Sequence, residues 1–324
     1  MPNLVRHIVL ATDFSACSFK AFEYALAWAQ AFKAALRIVH VVRNYASLDI
    51  EEAIAQVHIE EQIQGSRQRI QRYILWGNSH ASDVHPELLL GIPADEICRF
   101  ALAQHGDLII LGAHGWTGLD RVLLGSVAER VICQAPCPVL IIPSREDRSL
   151  EWADLPESLK IELPSVTTGH LLLPVDFSDC SLEAFEYGTQ VAKYCDMSVS
   201  LLHAVEPLSY SLDFTLSHPI EDKQLRHKVE ARLLELTRVL QNEDLRADYQ
   251  LADKPAVDAI LKAIAERQVS LVVMGTHGRR GLSRLIMGSI TAGVLRRSSV
   301  PLLTIKSPKF KHEGTQSNQN PKAP

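Results

Sequence analysis

Short runs of apolar residues alternate along this chain with longer segments in which apolar residues recur at helical spacing. Runs without polar interruption are typical of strands that are buried on both faces of a parallel sheet. Between the first two runs, Phe22, Leu26 and Ala29 share one face of a helix. The first half therefore predicts five strands that alternate with four helices. The strands are predicted at Ile8–Ala11, Ile38–Val42, Leu88–Leu90, Leu108–Leu111 and Val139–Ile142.

The same unit occurs a second time. The sequence HIVLATDFS at 7–15 returns as HLLLPVDFS at 170–178, which is an offset of 163 (176 − 13). Because further landmarks return in the same order, the pattern indicates a tandem duplication. We predict two tandem open parallel five-stranded sheets, with helices on both faces of each. The second set of strands is predicted at Leu171–Leu173, Val199–Leu202, Tyr249–Leu251, Leu271–Met274 and Leu302–Ile305.

These repeats set the predicted domain organisation. The first domain is expected at 1–143 and the second at 169–306. The segment 144–168 between them is charged and has little apolar periodicity, which is typical of a linker. The polar tail 307–324 contains Pro, Asn and Gln, and we expect it to be disordered.

Composition excludes several classes of function. With 33 Lys and Arg against 38 Asp and Glu, the formal net charge of −5 disfavours binding to nucleic acid. The chain has no run of roughly 18 apolar residues, so we expect no membrane span. The early apolar run is also shorter than a secretory signal needs, and the expected location is the cytoplasm. Six cysteines without a CxxC pair do not indicate a disulfide or zinc framework.

The candidate chemistry follows the fourth strand of each half. The first copy reads Gly112-Ala113-His114-Gly115, then nine residues, then Gly125-Ser126; Gly275 to Ser289 repeats this spacing. A glycine at a strand end permits a positive φ angle or the close approach of a ligand. Backbone N–H groups at a helix start attract phosphate. The pattern therefore predicts two anion-binding loops.

An aspartate ends the first strand of each half, Asp13 in one and Asp176 in the other. In open α/β sheets, ligands bind beyond the carboxyl ends of the strands where the strand order reverses. A carboxylate beside phosphate would repel it, so we expect these aspartates to accept hydrogen bonds from a base or sugar. Capping of the following helix is an alternative role that is compatible with the first.

These motifs resemble the universal stress protein family in its tandem two-domain form. The resemblance rests on both Gly-x-x-Gly-(nine residues)-Gly-Ser motifs, on Asp-Phe-Ser after each first strand, and on the runs 126–131 and 135–140; it covers about 280 of the 324 residues. It implies a Rossmann-like fold with strand order 3-2-1-4-5 and ATP, with or without Mg²⁺, in each crevice. The implied ATP-binding residues are Asp13, Val41, Gly112, Gly115, Gly125, Ser126 and Val127, and then Asp176, Ala204, Gly275, Gly278, Gly288, Ser289 and Ile290.

The resemblance also implies an assembly. The family dimerises through its last strand, so we expect an intramolecular pseudo-dimer in which Val139–Ile142 pairs with Leu302–Ile305. Further homodimerisation of whole chains is left open, and the protein partner is unknown.

The two copies differ around the expected site. Val41 becomes Ala204, and Gly91-Ile92-Pro93 becomes Asp253-Lys254-Pro255. The second loop carries three arginines where the first carries one, and arginines strengthen phosphate binding. Which site binds more tightly is therefore left open. These arginines are Arg279, Arg280 and Arg284 in the second copy and Arg121 in the first.

The other histidines and cysteines are interpreted as structural. His114 and His277 lie inside the loops, but no paired acid or nucleophile accompanies them at fixed spacing. The remaining candidates are His40 and His203 at the ends of second strands, Cys17 and Cys180 near helix starts, and Cys133 and Cys137 without nearby histidine ligands.

The leading hypothesis is an ATP-binding stress-response regulator that acts through nucleotide-dependent partner interactions. One alternative is an interaction module of the same fold that binds no nucleotide. Another is a slow ATP hydrolase, although no Walker A lysine follows either glycine motif. We therefore do not expect an enzyme, and weak ATPase activity is left open.

Overall fold

The computed structural model describes residues 4–43, 52–81, 83–115, 124–143, 159, 161–205, 219–278 and 287–306. Strands and helices alternate in both halves. The first half contains β1 (His7–Ala11), α1 (Ala16–Phe32), β2 (Ala35–Val42), α2 (Glu52–Gly77), β3 (Val84–Leu90), α3 (Pro93–Ala103), β4 (Leu108–Gly112), α4 (Ser126–Gln134) and β5 (Val139–Ile142). The second half contains β6 (Gly169–Pro174), α5 (Asp179–Tyr194), β7 (Met197–Ala204), α6 (Pro219–Asn242), β8 (Ala247–Ala252), α7 (Ala256–Glu266), β9 (Leu271–Gly275), α8 (Ser289–Arg297) and β10 (Leu302–Ile305).

The strand order confirms the predicted fold class. Each half is parallel with the order 3-2-1-4-5, read as β3-β2-β1-β4-β5 and as β8-β7-β6-β9-β10. The two sheets meet at the last strand of each half, the strands that were expected to pair. β5 and β10 pair antiparallel, with Leu302 opposite Ile141 and Thr304 opposite Val139. This pairing merges the predicted sheets into one sheet of ten strands.

Two apolar layers cover the faces of this sheet. Successive strand residues point to opposite faces, so Leu140 and Ile142 enter one layer while Val139 and Ile141 enter the other. The first layer packs under α1, α2, α5 and α6, and the second under α3, α4, α7 and α8. Each layer contains residues from both halves, so the hydrophobic core is continuous across the junction.

Aromatic side chains hold the first layer together at the junction. Phe32 on α1 stacks on Trp28 with ring centroids 5.1 Å apart. Its other neighbour is Tyr194 on α5, at 4.3 Å with the rings nearly parallel. Lys306 adds a polar contact, because its Nζ donates to the carbonyl oxygen of Cys133 at 2.7 Å. Helix, strand and side-chain contacts therefore all join the two halves.

Part of the predicted linker is packed rather than exposed. Ile161 is 7% exposed and belongs to the first apolar layer, and Leu159, Leu163 and Val166 pack against it. The few apolar residues of this segment pack on the core without forming a helix or a strand. Their burial therefore leaves no periodic pattern in the sequence. Residues 144–158 and 160 of the linker and the tail 307–324 lie outside the described residues. No helix within the described ranges is long and apolar enough to cross a membrane.

Candidate functional site

Both candidate sites lie at the carboxyl ends of two adjacent strands. β1 pairs with β4 and β6 pairs with β9, all in parallel. Asp13 follows β1 and Gly112 ends β4, while Asp176 and Gly275 hold the same places in the second half. In each half the chain winds from the first strand to one side of the sheet and then returns to the other side. The crevice beyond these strand ends is therefore the topological switch point of the fold.

Each aspartate is held by the serine two residues after it. Oδ1 of Asp13 accepts hydrogen bonds from the Ser15 backbone N at 3.0 Å and from Ser15 Oγ at 2.6 Å. Asp176 and Ser178 repeat both bonds at 3.0 and 2.5 Å. The serines are the N-caps of α1 and α5, so the aspartates do not cap these helices themselves. Each carboxylate thus has one oxygen fixed by its own turn.

The other carboxylate oxygen lies against the second glycine of the loop. A Cβ atom added to Gly115 would overlap Oδ2 of Asp13, and one added to Gly278 would lie 2.7 Å from Oδ2 of Asp176. The structure therefore brings each aspartate together with the loop that was predicted to face it. Glycine is required here because any side chain would displace the carboxylate.

The first glycine of each loop has a different role. A Cβ atom at Gly112 would lie 2.7 Å from Cys17 Sγ, and one at Gly275 would lie 2.8 Å from Cys180 Sγ. These glycines allow α1 and α5 to pack directly on the strand ends, and burial raises the pKa of the Cys17 thiol. The expectation of positive φ angles was wrong for the loop glycines. Among the described glycines, only Gly91 and Gly169 have one.

The third glycine joins the loop to a helix. Gly125 is the N-cap of α4, and its N–H donates to the carbonyl oxygen of Ala113 at 2.8 Å. Gly288 caps α8 in the same way, with its N–H bonded to Thr276 at 2.9 Å. Neither cap makes a side-chain hydrogen bond, and the following Ser126 and Ser289 are exposed. The backbone N–H groups of these first turns therefore start beside the loop, where a helix dipole favours an anion.

The apolar candidates share one apolar layer of the sheet. Val41 is 9% exposed and belongs to the layer under α3 and α4, against which Val127 packs. Ala204 and Ile290 pack against the same layer in the second half. These four residues thus have an apolar layer in common, whereas each aspartate approaches its loop glycine directly.

The histidines at the second strands bind backbone. His40 Nδ1 lies 2.8 Å from the carbonyl oxygen of Thr12, and His203 Nδ1 lies 2.6 Å from that of Val175. Burial lowers the pKa of His40. Each ring nitrogen donates to the residue just before the site aspartate, in agreement with the structural interpretation.

Sequence reasoning missed the residue between each aspartate and serine. Phe14 and Phe177 have φ angles of 63° and 62°. The Phe14 ring lies 4.4 Å from the His40 ring, and Arg69 Cζ lies 5.7 Å from its centroid. The centroid of the Phe177 ring lies 5.1 Å from that of the His203 ring and 4.4 Å from Arg232 Cζ. The signal was present, because Arg69 and Arg232 are separated by the repeat offset of 163.

The nine-residue centre of each loop contains the four arginines that distinguish the copies. Arg121, Arg279, Arg280 and Arg284 lie outside the described residues. Within the described ranges, no group of three or more His, Cys, Asp or Glu could hold a metal ion.

Comparison with known proteins identifies the architecture. The model of the universal stress protein family matches the chain twice, at residues 5–143 and 167–306. A universal stress protein of Methanocaldococcus jannaschii is 39% identical over 152 residues, which cover 44% of this chain and 86% of that relative. One from Mycobacterium tuberculosis is 24% identical over 325 residues, covering 93% of this chain and 95% of the relative. The crystal structure of a universal stress protein from Archaeoglobus fulgidus has a TM-score of 0.65 at 22% identity, covers 94% of this chain and 98% of its own, and shows the shared fold.

Proposed function

Since this chain belongs to the universal stress protein family, we propose that it binds ATP in both crevices. We further propose that it acts in the cytoplasm as a stress-response regulator whose contacts with partner proteins depend on the bound nucleotide. The first part can be argued from the site. The partner is left unnamed, because no described surface specifies its chemistry.

One observation carries the proposal: in each half a carboxylate, a bare glycine and a helix start without a side-chain cap converge at the switch point. Asp13, Gly115 and Gly125 do so in the first half. A side chain at Gly115 would collide with the Asp13 carboxylate, so the carboxylate can lie this close to the loop backbone only because this position has none. A loop position without a Cβ atom is typical of a site that admits a ligand group close to the backbone.

The arrangement sets an orientation for the nucleotide. Oδ2 of Asp13 is the oxygen directed toward the loop, and we expect a ribose hydroxyl or a base amino group to donate to it there. Phosphates belong at the other end, at the N–H groups of Ser126 and Val127, because the helix start attracts anions and the carboxylate repels them. Any Mg²⁺ would be held through the phosphate oxygens, which are its usual ligands in nucleotide sites.

Titration calorimetry with ATP tests this proposal. We expect two binding events per chain, with Gly115→Ala weakening one and Gly278→Ala weakening the other. Each variant should weaken its own site by about tenfold or more, since one lost charge-assisted hydrogen bond is worth 1.5–3 kcal/mol on the general scale, or roughly 10- to 150-fold. Gly65→Ala on α2 is the matched control, because a Cβ there meets nothing within 4 Å.

The outcomes separate the alternatives. Absence of saturable binding to the unmodified chain, together with no thermal shift in ATP, would favour the nucleotide-free interaction module. Bound ATP at a hundredfold excess over Kd should instead add about 2.7 kcal/mol per occupied site to the free energy of unfolding. Phosphate release that survives purification and is lost in an Asp13→Asn, Asp176→Asn double variant would favour the hydrolase.

A further inference from the structure

We propose that Arg69 and Arg232 are positioning residues for the two site carboxylates. Each guanidinium holds the phenylalanine that follows the aspartate, and that ring fixes the turn from which Oδ2 is directed at the glycine loop. The inference rests on the proposed nucleotide binding at these crevices. Neither arginine is assigned a contact with the nucleotide itself.

The turn needs to be held because its backbone is unfavourable. Phe14 and Phe177 adopt φ angles of 63° and 62°, the left-handed region that bulky residues rarely enter. Such a conformation persists only where the surrounding structure determines it. Both halves keep it at the same place, between the aspartate and its serine.

This turn also decides where the carboxylate points. Ser15 can donate its N–H and its hydroxyl to Asp13 only when Phe14 bends the chain back in this way. With Oδ1 fixed by those two bonds, Oδ2 is left facing Gly115. If Phe14 returned to an extended conformation, the aspartate would lose both bonds and its direction.

The ring between the two residues is held from both sides. His40 on β2 binds the carbonyl oxygen of Thr12 and lies under the Phe14 ring at 4.4 Å. Arg69 on α2 approaches the same ring at 5.7 Å. A cation near an aromatic face is attracted by the ring quadrupole. The ring is therefore held between β2 and α2, and Tyr73 on α2 also approaches it, with ring centroids 5.8 Å apart.

The second half repeats the clamp but with less additional support. Val175 replaces Thr12, so the Phe177 N–H lacks the threonine hydroxyl that accepts from Phe14 N at 3.0 Å in the first half. Arg232 is also nearer to its ring, at 4.4 Å. We therefore expect Arg232 to matter more for its site than Arg69 does.

The experiment measures each site alone. In a Gly115→Ala background, which leaves the second site, Arg232→Ala should weaken ATP binding about fivefold. In a Gly278→Ala background, Arg69→Ala should weaken it about twofold. Arg232→Lys should recover part of the loss, because it keeps a cation near the ring. The controls are Arg238→Ala and Arg67→Ala, exposed arginines on the same two helices.

A second measurement needs no nucleotide. The Ser15 and Ser178 backbone N–H groups are bonded to the aspartates, so hydrogen exchange at these amides reports the turn directly. Each arginine variant should speed exchange at its own serine by more than any fall in the urea midpoint explains. Unchanged exchange and unchanged ATP affinity would overturn the inference, as would a fall in the urea midpoint that accounts for the faster exchange. If the unmodified chain bound no ATP, the proposed function would fail while the amide exchange still tested the turn.

Discussion

The two halves of this molecule build the same crevice with hydroxyl groups at opposite ends of it. In the first half they lie beneath the aspartate's turn, where Thr12 Oγ1 donates to Ser18 Oγ at 3.0 Å and lies 3.1 Å from the Tyr73 hydroxyl. In the second half they lie beneath the glycine loop. There Thr291 Oγ1 donates to the carbonyl oxygen of Gly275 at 2.9 Å, and Thr276 Oγ1 lies 2.9 Å from His277 Nδ1.

The threonines that make these bonds in one half are replaced by apolar residues in the other. Thr12 corresponds to Val175, while Thr291 corresponds to Ala128 in the repeat. The backbone geometry nevertheless agrees, down to the left-handed phenylalanine and the approach of the carboxylate to the second glycine. The comparison teaches that side-chain support is interchangeable, whereas the aspartate, the glycines and the helix start are common to both halves. The shared set is what a ligand would contact.

The largest expected effect is a difference in stability between alanine variants at the first and at the second glycine of a loop. Gly112→Ala should lower the free energy of unfolding by about 3 kcal/mol, because its Cβ would meet the backbone of Cys17 at 3.0–3.1 Å as well as the sulfur, and overpacking costs of this order are usual. Gly115→Ala should cost well under half of that, since only the end of the Asp13 side chain has to move. Urea denaturation measures both.

The matching pair in the second half is Gly275→Ala and Gly278→Ala, which should show the same ranking. An equal loss of stability from both glycines of one loop would mean that the second glycine is also a packing residue. The distinction between fold and site would then be lost.

The next effect concerns the hydroxyl network of the first half. Thr12→Val removes three hydrogen bonds beneath the aspartate's turn and should cost about 2 kcal/mol, because buried polar partners are left with fewer bonds. Val175→Thr is the control, and it should change stability much less. A Thr12→Val variant as stable as the original chain would show that the turn does not depend on this network. Denaturation with urea gives the comparison.

A smaller loss is expected beneath the glycine loop of the second half. Thr291→Ala removes one hydrogen bond to Gly275 and reproduces the first half's Ala128. We expect a cost of about 1 kcal/mol, which is the usual net value of a single bond. Differential scanning calorimetry would detect the shift. A loss of stability as large as that of Thr12→Val would contradict the expectation that the hydroxyl network of the first half contributes more.

The smallest effect is a dependence on pH. Burial is the main reason why the pKa of His40 lies below its ordinary value of 6.5, and the Thr12 carbonyl and Asp13 oppose it only in part. The unfolded chain therefore takes up this proton more readily, so stability is full above about 6.5 and falls as pH drops toward the lowered pKa. Urea unfolding at pH 7.5 and 5.5 should show a larger loss for the unmodified chain than for His40→Gln. Identical losses would contradict a buried neutral His40.

How much of this could be read from the sequence depends on the length scale. Continuous apolar runs and the repeat offset predicted all ten strands, because burial on both faces of a sheet leaves a direct pattern. The strand order was predicted only from the resemblance to the family. The separate roles of Gly112 and Gly115 could not be predicted, since they depend on how closely α1 approaches the strand end. The left-handed turn at Phe14 was missed because such backbone is rare for a bulky residue. The packing of Ile161 was missed because the segment around it has no period.

A structure of the chain with a slowly hydrolysed ATP analogue would show directly whether the crevices bind nucleotide. We expect nucleotide in both crevices, with phosphates at the first turns of α4 and α8 and the nucleoside beside Oδ2 of Asp13 and Asp176. Two crevices that stay empty at saturating analogue would contradict it, and so would phosphates placed against the carboxylates.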